Sequence, residues 1–422
     1  MSIIHVENNQ FESRIDEEIG IHFKQLNPNQ TYKIVLKRRA VTKTHIIYRE
    51  SWASFTSSLE GTIDLANQKP VAGSYDTVNA MGLFWSMDVM VKKENKGEPY
   101  IKLAPHQFEL LIELNNRVIE RKNIIKHWYD NEIKREEVNE DGVIGTYFYH
   151  QDQESRPSII VLSGSEGGIY EFAAGPLASN GFNVLAIAYF GVEGTSDRLV
   201  NIPLERVEDA IKWLIEQDET NKAWIGVHAT SRGGEIALWS AVLFDEIKAV
   251  VSMNGSGIAF SGIVPWTDDL KLPPAWLYKG KPLPYASPNN PVHVALSCKE
   301  LYLKGENGAL DWYDALYNDD LYRNEATIPI EGEEKDILFI SGASDQMFRS
   351  SFFSSVSRSK WIKQINYEGA GHEISIPHVP IYANKFTGGT KEATYKASLD
   401  SWKKMQEWFV SSYQKSVESH NL

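Results

Sequence analysis

The pattern of hydrophobic and polar positions changes near residue 132. Before that point, short apolar runs of strand-like composition are separated by turn residues, with no helical period between them. These runs are Thr31 to Leu36, His45 to Tyr48, Trp52 to Phe55 and Phe108 to Leu114. The pattern predicts an all-β, immunoglobulin-like sandwich domain over residues 1–132. We assign the large apolar cluster Gly82 to Met87 to its core.

After that point, residues 133–422 alternate between strand-like and helical patterns. The strand-like runs are Ser158 to Ser163, Val184 to Tyr189, Trp224 to Val227, Ala249 to Met253, Asp336 to Ser341 and Trp361 to Tyr367. The clearest helical period covers Leu204 to Gln217, where apolar residues recur three or four positions apart. Strands that alternate with helices predict a doubly wound, mostly parallel α/β sheet, the architecture of an α/β hydrolase.

Two further segments complete the predicted second domain. Residues 256–327 are rich in Pro, Gly and Trp, and we predict an irregular segment that covers the carboxyl ends of the strands. A last helix is predicted over Thr394 to Tyr413. Its predicted packing face carries Leu399, Trp402, Met405, Trp408 and Phe409.

The stretch from Ala223 to Trp239 has the composition of a nucleophile elbow. An apolar strand leads into Ala229-Thr230-Ser231-Arg232-Gly233-Gly234, and a helix-forming run follows. A strand, a sharp turn with a central Ser and small neighbours, and a helix together expose the Ser hydroxyl. The turn also fits a helix N-cap without any catalytic role. The elbow interpretation makes Ser231 the candidate nucleophile.

A serine hydroxyl needs a base, and the base needs an orienting carboxylate. Asp345 follows one late predicted strand, and His372 follows the next, in the chain order Ser, Asp, His that α/β hydrolases use. Each residue taken alone also fits an ordinary turn or surface loop. His378 and Glu368 are weaker candidates, because His378 does not follow a strand directly and Glu368 precedes the histidine. The combined order and strand context predict a triad of Ser231, Asp345 and His372.

Acyl transfer also needs N–H donors directed at the developing oxyanion. The backbone amide of Arg232, the residue after the nucleophile, is one candidate. The glycine-rich loop from Gly164 to Gly168 supplies the other, with the amide of Glu166 as first choice and that of Ser165 as second. A phosphate-binding role for this loop is less favoured, because the loop lacks the Lys-Ser/Thr pair of a P-loop.

Composition narrows the classes of partner. The net charge of −13 without a dominant basic run argues against nucleic acid as a main partner. No apolar run reaches the length of a membrane span, and no signal peptide or peroxisomal tripeptide is visible. A single cysteine, Cys298, excludes an internal disulfide and cysteine-based zinc sites. We therefore expect a cytoplasmic enzyme with a small-molecule substrate, no cofactor and no metal, and the oligomeric state stays open.

The residues also carry a family resemblance over nearly the whole chain. In the first part of the chain its motifs are Gly73-Ser74-Tyr75 and Ala80 to Met87. In the second part they are Gly164 to Gly168, Gly181 to Phe190 and Met253 to Gly257. With them, the chain resembles the family of acyl-CoA thioester hydrolases and bile acid-CoA:amino acid N-acyltransferases. The resemblance implies a β-sandwich before an α/β-hydrolase domain, acyl-CoA substrates and the triad named above.

The resemblance also ranks the possible reactions. The N-acyltransferase branch uses a Cys nucleophile, whereas this chain has Ser231, so hydrolysis through an acyl-serine is favoured over transfer to an amino acid. An esterase or amidase acting on a substrate without CoA, and a binding protein on a decayed hydrolase fold, remain alternatives. Two residues depart from the family pattern: Ala229 replaces the usual Gly, and Arg232 replaces a neutral residue. Arg232 would either contact an anionic part of the substrate or pair with Glu166.

Overall fold

A computed structural model describes residues 2–152, 154–265, 270–287, 290–317 and 325–420. The chain forms two compact units. The first unit contains Met1–Asp130 and the later segment Ile376–Tyr382, and the second contains Asn131–Ser375 and Ala383–Leu422. The first unit is therefore completed by seven residues from near the end of the chain.

The first unit is rich in β-strands. Its strands are β1 (Ile4–Val6), β2 (Glu12–Arg14), β3 (Ile21–Phe23), β4 (Thr31–Val41), β5 (His45–Thr56), β6 (Ile63–Asp64), β7 (Ala72–Gly73), β8 (Asp88–Glu94), β9 (His106–Leu114) and β10 (Arg117–His127), with one short helix, α1 (Gly82–Trp85). In the described residues they form one sheet in the order β1-β3-β6 and a larger one in the order β2-β10-β9-β4-β5-β7, with β8 also on β5. Two sheets agree with the predicted β-sandwich class.

One strand of this unit differs from its prediction. The sequence indicated two strands, His45 to Tyr48 and Trp52 to Phe55, but β5 runs through both without a break. It pairs with β4 over the whole length, from Thr31 opposite Thr56 to Val41 opposite Ile46. The polar residues between the two predicted runs do not end the strand, because alternate side chains point to opposite faces and the backbone pairing continues. Helix α1 lies in the predicted core cluster, and its four residues are buried.

The second unit contains a mixed sheet flanked by helices. Its elements are β11 (Ile133–Glu140), β12 (Val143–His150), β13 (Arg156–Leu162), α2 (Glu171–Ser179), β14 (Asn183–Ile187), β15 (Ile202–Pro203), α3 (Glu205–Glu216), β16 (Thr220–Thr230), α4 (Gly233–Leu243), β17 (Ile247–Met253), β18 (Trp276–Tyr278), β19 (Lys281–Pro282), α5 (Pro291–Leu303), α6 (Gly308–Tyr317), β20 (Asp336–Gly342), α7 (Ser350–Phe353), β21 (Ile362–Tyr367) and α8 (Lys391–His420). The main sheet has the order β11-β12-β14-β13-β16-β17-β20-β21 in the described chain.

All pairs from β14 to β21 in this sheet are parallel, and only the β11–β12 and β12–β14 pairs are antiparallel. The central strands carry fully buried apolar residues, among them Ile160, Val227, Val250 and Phe339. Burial on both faces is typical of parallel strands covered by helices. The predicted α/β-hydrolase class is confirmed. The parallel order also brings the carboxyl ends of β13, β16, β17, β20 and β21 to one edge of the sheet.

The segment 256–327 is more regular than predicted. Helices α5 and α6 lie within it, as do the short strands β18 and β19. Helix α5 begins where Asn290 accepts a hydrogen bond from the backbone N–H of His293 and Pro291 takes the first helical position. An Asn cap followed by Pro is a sequence signal for a helix start. The helix could therefore have been predicted from this signal despite the irregular composition of the segment.

The last helix, α8, is longer than predicted, and its packing face is slightly different. Trp402, Met405 and Phe409 are buried as expected, but the side chain of Leu399 is 41% exposed. Among the described residues, no helix, including α8, is both long and apolar enough to span a membrane. Within the same residues, no group of three His, Cys, Asp or Glu side chains is placed to hold a metal ion.

Candidate active site

Ser231 lies at the turn between β16 and α4 in an unusual backbone conformation. Its φ angle is +49°, in the left-handed region that non-glycine residues rarely adopt. The Ser231 N–H still donates to the carbonyl of Met253 at 2.8 Å, and its carbonyl accepts from Gly234 N at 3.0 Å. The hydrogen bonds on both sides hold the strained turn, which is the geometry expected of a nucleophile elbow.

Two glycines allow the backbone to pass close to this turn. A Cβ atom on Gly233 would collide with the carbonyl oxygen of Ser163, at the end of β13. A Cβ atom on Gly164 would lie 3.1 Å from the Cβ of Ser231. Any larger residue at Gly233 would separate the helix from the neighbouring strand. The glycine-rich loop is thus in direct contact with the candidate nucleophile.

The structure brings together the three residues of the predicted triad. His372 Nε2 lies 3.1 Å from Ser231 Oγ, and His372 Nδ1 lies 2.7 Å from Asp345 Oδ2. Both distances are within the hydrogen-bond range that nucleophile–base and base–acid pairs require. An imidazole held between a carboxylate and a hydroxyl can accept the hydroxyl proton at Nε2 while Nδ1–H stays bound to the carboxylate.

The carboxylate of Asp345 is fixed by its own loop. Its side chain is 1% exposed, and Oδ1 accepts hydrogen bonds from the backbone N–H groups of Met347 at 2.8 Å and Phe348 at 3.3 Å. One oxygen is therefore held by the backbone, and the other is left for His372. The Phe348 ring, 5.5 Å from the imidazole centroid, adds an apolar wall beside the base.

The charged groups around His372 raise its pKa. Burial is the largest single effect and lowers the pKa, but the adjacent Asp345 raises it, as do Glu373 and Glu166, so the net pKa of His372 lies above its usual value. Burial also raises the pKa of Glu373, and the charges of Glu166 and Asp345 raise it further against the opposing effect of His372. Two carboxylates outside the triad thus lie close enough to influence the base.

The side chain of Arg232 does not have either role offered by the sequence. It is 2% exposed and forms a buried ion pair with Glu235, one turn along α4, and not with Glu166. Its guanidinium also donates to the carbonyls of Phe260 at 3.1 Å and Ser261 at 3.0 Å. With its donors directed into protein, this guanidinium is a structural group that holds the segment after β17 against the elbow.

Glu235 completes this buried arrangement from the other side. Its carboxylate accepts from the backbone N–H of Phe260 at 3.1 Å and from the indole N–H of Trp276 at 2.8 Å. The sequence placed Glu235 in a helix but gave it no role. The sequence signal for this ion pair was a glutamate in an otherwise apolar helical run, three residues after an arginine.

The two amides predicted for the oxyanion site occupy different surroundings. Arg232 is the N-cap residue of α4, so its N–H lies at the positive end of a helix. Glu166 and Ser165 lie in the loop after β13, where the Glu166 carboxylate accepts from the N–H of Gly164 at 3.1 Å. Tyr189 supports this loop, because its buried hydroxyl lies 2.6 Å from the Ser163 carbonyl and 3.2 Å from that of Gly164.

Asn254 is a further residue to which the sequence gave no role in the site. It follows β17, is 2% exposed and has a φ of +47°. Its Nδ2 donates to the carbonyl of His372 at 2.7 Å, and its Oδ1 accepts from Gly342 N at 3.0 Å. The sequence signal was its position directly after a buried strand, in the motif Met253 to Gly257.

The competing candidates lie elsewhere. His378 belongs to the segment Ile376–Tyr382 of the first unit and is 2% exposed. Burial, and secondarily the charge of Lys126, lowers the pKa of His378 to about 3. Glu368 is exposed beyond the end of β21. His372, and neither of these residues, is paired with Asp345 and Ser231.

Comparison with known proteins gives matches over nearly the full length. The family model for the C-terminal part of BAAT and acyl-CoA thioester hydrolases matches residues 202–415, and the model for the N-terminal region matches residues 16–140. Acyl-coenzyme A amino acid N-acyltransferase 1 of Mus musculus is 27% identical over 94% of both chains. Acyl-coenzyme A thioesterase 1 of Mus musculus is 27% identical over 93% of both chains. Peroxisomal succinyl-coenzyme A thioesterase of Mus musculus is 28% identical, again over 93% of both.

Proposed function

This chain belongs to the family of acyl-CoA thioester hydrolases and BAAT proteins, and from that membership we propose that it hydrolyses acyl-CoA thioesters to a free acid and CoA. The match to both family models confirms the resemblance found in the sequence motifs. Thioesterases are among the relatives of similar length, which supports hydrolysis as the reaction. The single observation that carries the proposal is the match of both domains to a family that acts on this substrate class.

The proposed reaction begins at Ser231. Its Oγ attacks the thioester carbonyl carbon while His372 Nε2, 3.1 Å away, takes the hydroxyl proton. Asp345 keeps the other imidazole N–H in place and stabilises the imidazolium that forms. The C–S bond then breaks, the CoA sulfur leaves with the proton from His372, and the acyl group stays on Ser231 as an ester.

The second half of the proposed reaction consumes water. A water molecule attacks the acyl-serine carbonyl and gives a proton to His372 Nε2, and that proton passes to Ser231 Oγ as the acid departs. In both steps the negative carbonyl oxygen is proposed to accept from the N–H of Arg232 and that of Glu166, with Ser165 as the second choice for the latter. The helix N-terminus at Arg232 supports this assignment, since its partial positive charge stabilises an oxyanion.

Transfer to an amino acid is the competing outcome within the family. A serine ester is a less activated acyl donor than a thioester, so the proposed enzyme uses water as the acceptor. The test is product analysis after incubation with acyl-CoA, with and without glycine or taurine. Free acid in the same yield under both conditions supports the proposal, and an N-acyl amino acid as the main product contradicts it.

We further propose that the enzyme acts in cytoplasmic lipid metabolism. The single cysteine, Cys298, is buried, and burial, followed by the charge of Asp311, raises the pKa of its thiol to about 11. A single buried thiol of this kind is compatible with a reducing compartment. Fractionation of the cells that make this protein tests the location, and recovery with organelles would contradict it. A preference for fatty acyl-CoA over short polar acyl-CoA tests the role in lipid metabolism.

A further inference from the structure

Two arginines face each other in the large sheet of the first unit. Arg38 on β4 is directly opposite Arg49 on β5 in the strand register. Residues directly opposite in an antiparallel pair have Cβ atoms about 4.5–5.5 Å apart. Arg49 is 7% exposed, and Arg38 also lies opposite the buried Phe108 of β9. Two like charges are therefore adjacent in the sheet.

Neither guanidinium is neutralised by a carboxylate within the described chain. Arg38 Nε is buried without a hydrogen-bond acceptor, and no ion pair of Arg38 or Arg49 occurs among the residues that the structure describes. The cations next to Arg38 along β4 differ, since Lys37 pairs with Glu50 at 3.6 Å and Arg39 pairs with Glu98.

The groups packed around the two arginines do not supply the missing charge. The Arg38 guanidinium lies over the ring of Phe108 at 5.8 Å, and that of Arg49 over the ring of Tyr382 at 4.7 Å. These aromatic contacts orient the guanidinium planes and satisfy no N–H donor. Asp88, an exposed residue of β8, raises the pKa of Arg49, but burial lowers that pKa by more.

A third group of the same kind lies on β9. His106 Nδ1 is buried without a hydrogen-bond partner in the described residues, and its ring packs against Trp128 at 4.9 Å. Burial, followed by the charges of Arg38 and Arg49, holds the pKa of His106 well below its usual value. Burial and the charge of Arg49 also lower the pKa of Arg38, to about 9. All three groups thus lie in surroundings where an added anion would be stabilising.

A cavity of about 700 Å³ provides room for such an anion. Its wall includes Arg38 and Arg49 together with Lys37, Arg39 and Lys93, and it includes two carboxylates, Glu50 and Glu109. Each guanidinium offers five N–H donors in a planar fork that matches the oxygens of phosphate. Buried cations normally have anionic partners. Arg38 and Arg49 have no ion-pair partner among the described residues, so an added anion would supply a counter-charge that the chain does not.

We propose that Arg38 and Arg49 bind a phosphate group of a small anionic ligand. The site is independent of the proposed thioester hydrolysis, because it is built from residues of the first unit alone. Phosphate groups occur both as free inorganic anions and on nucleotides such as CoA. The chemistry recognised is the same in both cases, and the experiment has to separate the two sources.

Calorimetric titration of the full chain with pyrophosphate, and separately with CoA, tests the site at constant ionic strength set with chloride. We expect saturable binding by the wild type, weakened at least about tenfold in Arg38→Met and in Arg49→Met. The matched control is Arg117→Gln, which removes an exposed arginine of β10 that does not line the cavity and should bind like the wild type.

The outcomes separate the possible ligands. Loss of both pyrophosphate and CoA binding in the two variants supports a general phosphate site, and loss of CoA binding alone supports a nucleotide site. The proposal is overturned if the wild type binds neither probe at millimolar concentration, a result that does not depend on any variant. It is also overturned if both variants fold and bind with unchanged affinity. Failure of CoA release with intact pyrophosphate binding would reject the proposed reaction and leave this site standing.

Thermal unfolding without added anion gives a second measurement. Because an uncompensated buried charge destabilises the folded state, Arg38→Met should unfold at a temperature equal to or above that of the wild type in chloride alone. Pyrophosphate should raise the unfolding temperature of the wild type more than that of the variant. A variant that is much less stable in chloride would show that Arg38 is a packing residue, and this would contradict the proposal.

Discussion

The side-chain amide of Asn254 donates a hydrogen bond of 2.7 Å to the carbonyl oxygen of His372. The other end of the same amide accepts from Gly342, at the end of the strand that leads to Asp345. One side chain at the end of β17 therefore joins the two loops that carry His372 and Asp345. Because small displacements of reacting groups are costly in rate, this link is expected to matter for turnover more than for substrate binding.

Replacement of Asn254 tests that link. Asn254→Ala removes both hydrogen bonds, and we expect kcat to fall about 10- to 100-fold with KM nearly unchanged. Asn254→Gly is the matched control, because glycine keeps the positive φ and removes only the amide. Similar losses in both variants, measured by steady-state kinetics, support positioning through the side chain. Wild-type turnover in Asn254→Gly would mean that only the backbone conformation matters.

The positive φ of Ser231 predicts an unusual order of stabilities. Left-handed backbone costs an ordinary residue about 1–2 kcal/mol, and glycine avoids this cost but loses more chain entropy on folding. Ser231→Gly is therefore expected to be up to about 1 kcal/mol more stable than Ser231→Ala. Urea unfolding of the two inactive variants measures the difference. A glycine variant clearly less stable than the alanine variant would be incompatible with a strained elbow.

The buried pair of Arg232 and Glu235 predicts strong coupling. Arg232→Met leaves the carboxylate of Glu235 buried without its counter-charge, and a loss of about 3–5 kcal/mol in unfolding free energy is expected. Arg232→Met combined with Glu235→Gln removes both charges and should recover a large part of that loss. A double-mutant cycle from denaturant unfolding gives the coupling energy. Additive effects would show that the two residues act independently.

The carboxylate of Glu373 predicts a change in pH dependence. In the proposed reaction His372 has to be neutral to accept the Ser231 proton, so we expect activity to fall as the pH drops through the pKa of His372. Glu373 raises that pKa, and Glu373→Gln should therefore move the acidic limb of the kcat/KM profile to lower pH. The control is Glu368→Gln, an exposed change that should leave the limb in place. A shift to higher pH would contradict the assigned sign.

Much of the site could be predicted from the sequence because its parts have local signals. A buried strand followed by small residues and a serine indicates an elbow wherever it occurs, and Asp345 and His372 each follow an apolar run that became a strand. Parallel pairing then places these residues near one another, since it brings the carboxyl ends of such strands to one edge of the sheet. The order of residues along the chain was therefore sufficient to group three positions separated by up to 141 residues.

Other features depend on contacts that no local pattern records. The role of Asn254 requires its left-handed backbone and two partners 88 and 118 residues away. The partner of Arg232 was not among the two alternatives that the sequence left open, because Glu235, three residues further along, was assigned only to helix formation. Helices α5 and α6 were missed, since the Pro and Gly content of 256–327 outweighed the Asn-Pro start signal at residue 290. Burial of Arg49 within β5 likewise follows from strand pairing and not from its own composition.

The most direct test of the proposed function is the release of free CoA thiol from a series of acyl-CoA thioesters. The comparison is between the wild type and two variants, Ser231→Ala and His372→Ala, each shown to be folded. We predict turnover by the wild type and a fall of about 10⁴-fold or more in both variants, because a triad acts as a unit. Near wild-type release of CoA by either variant, or no release by the wild type from any thioester, would contradict the assignment of this chain as a serine-dependent thioesterase.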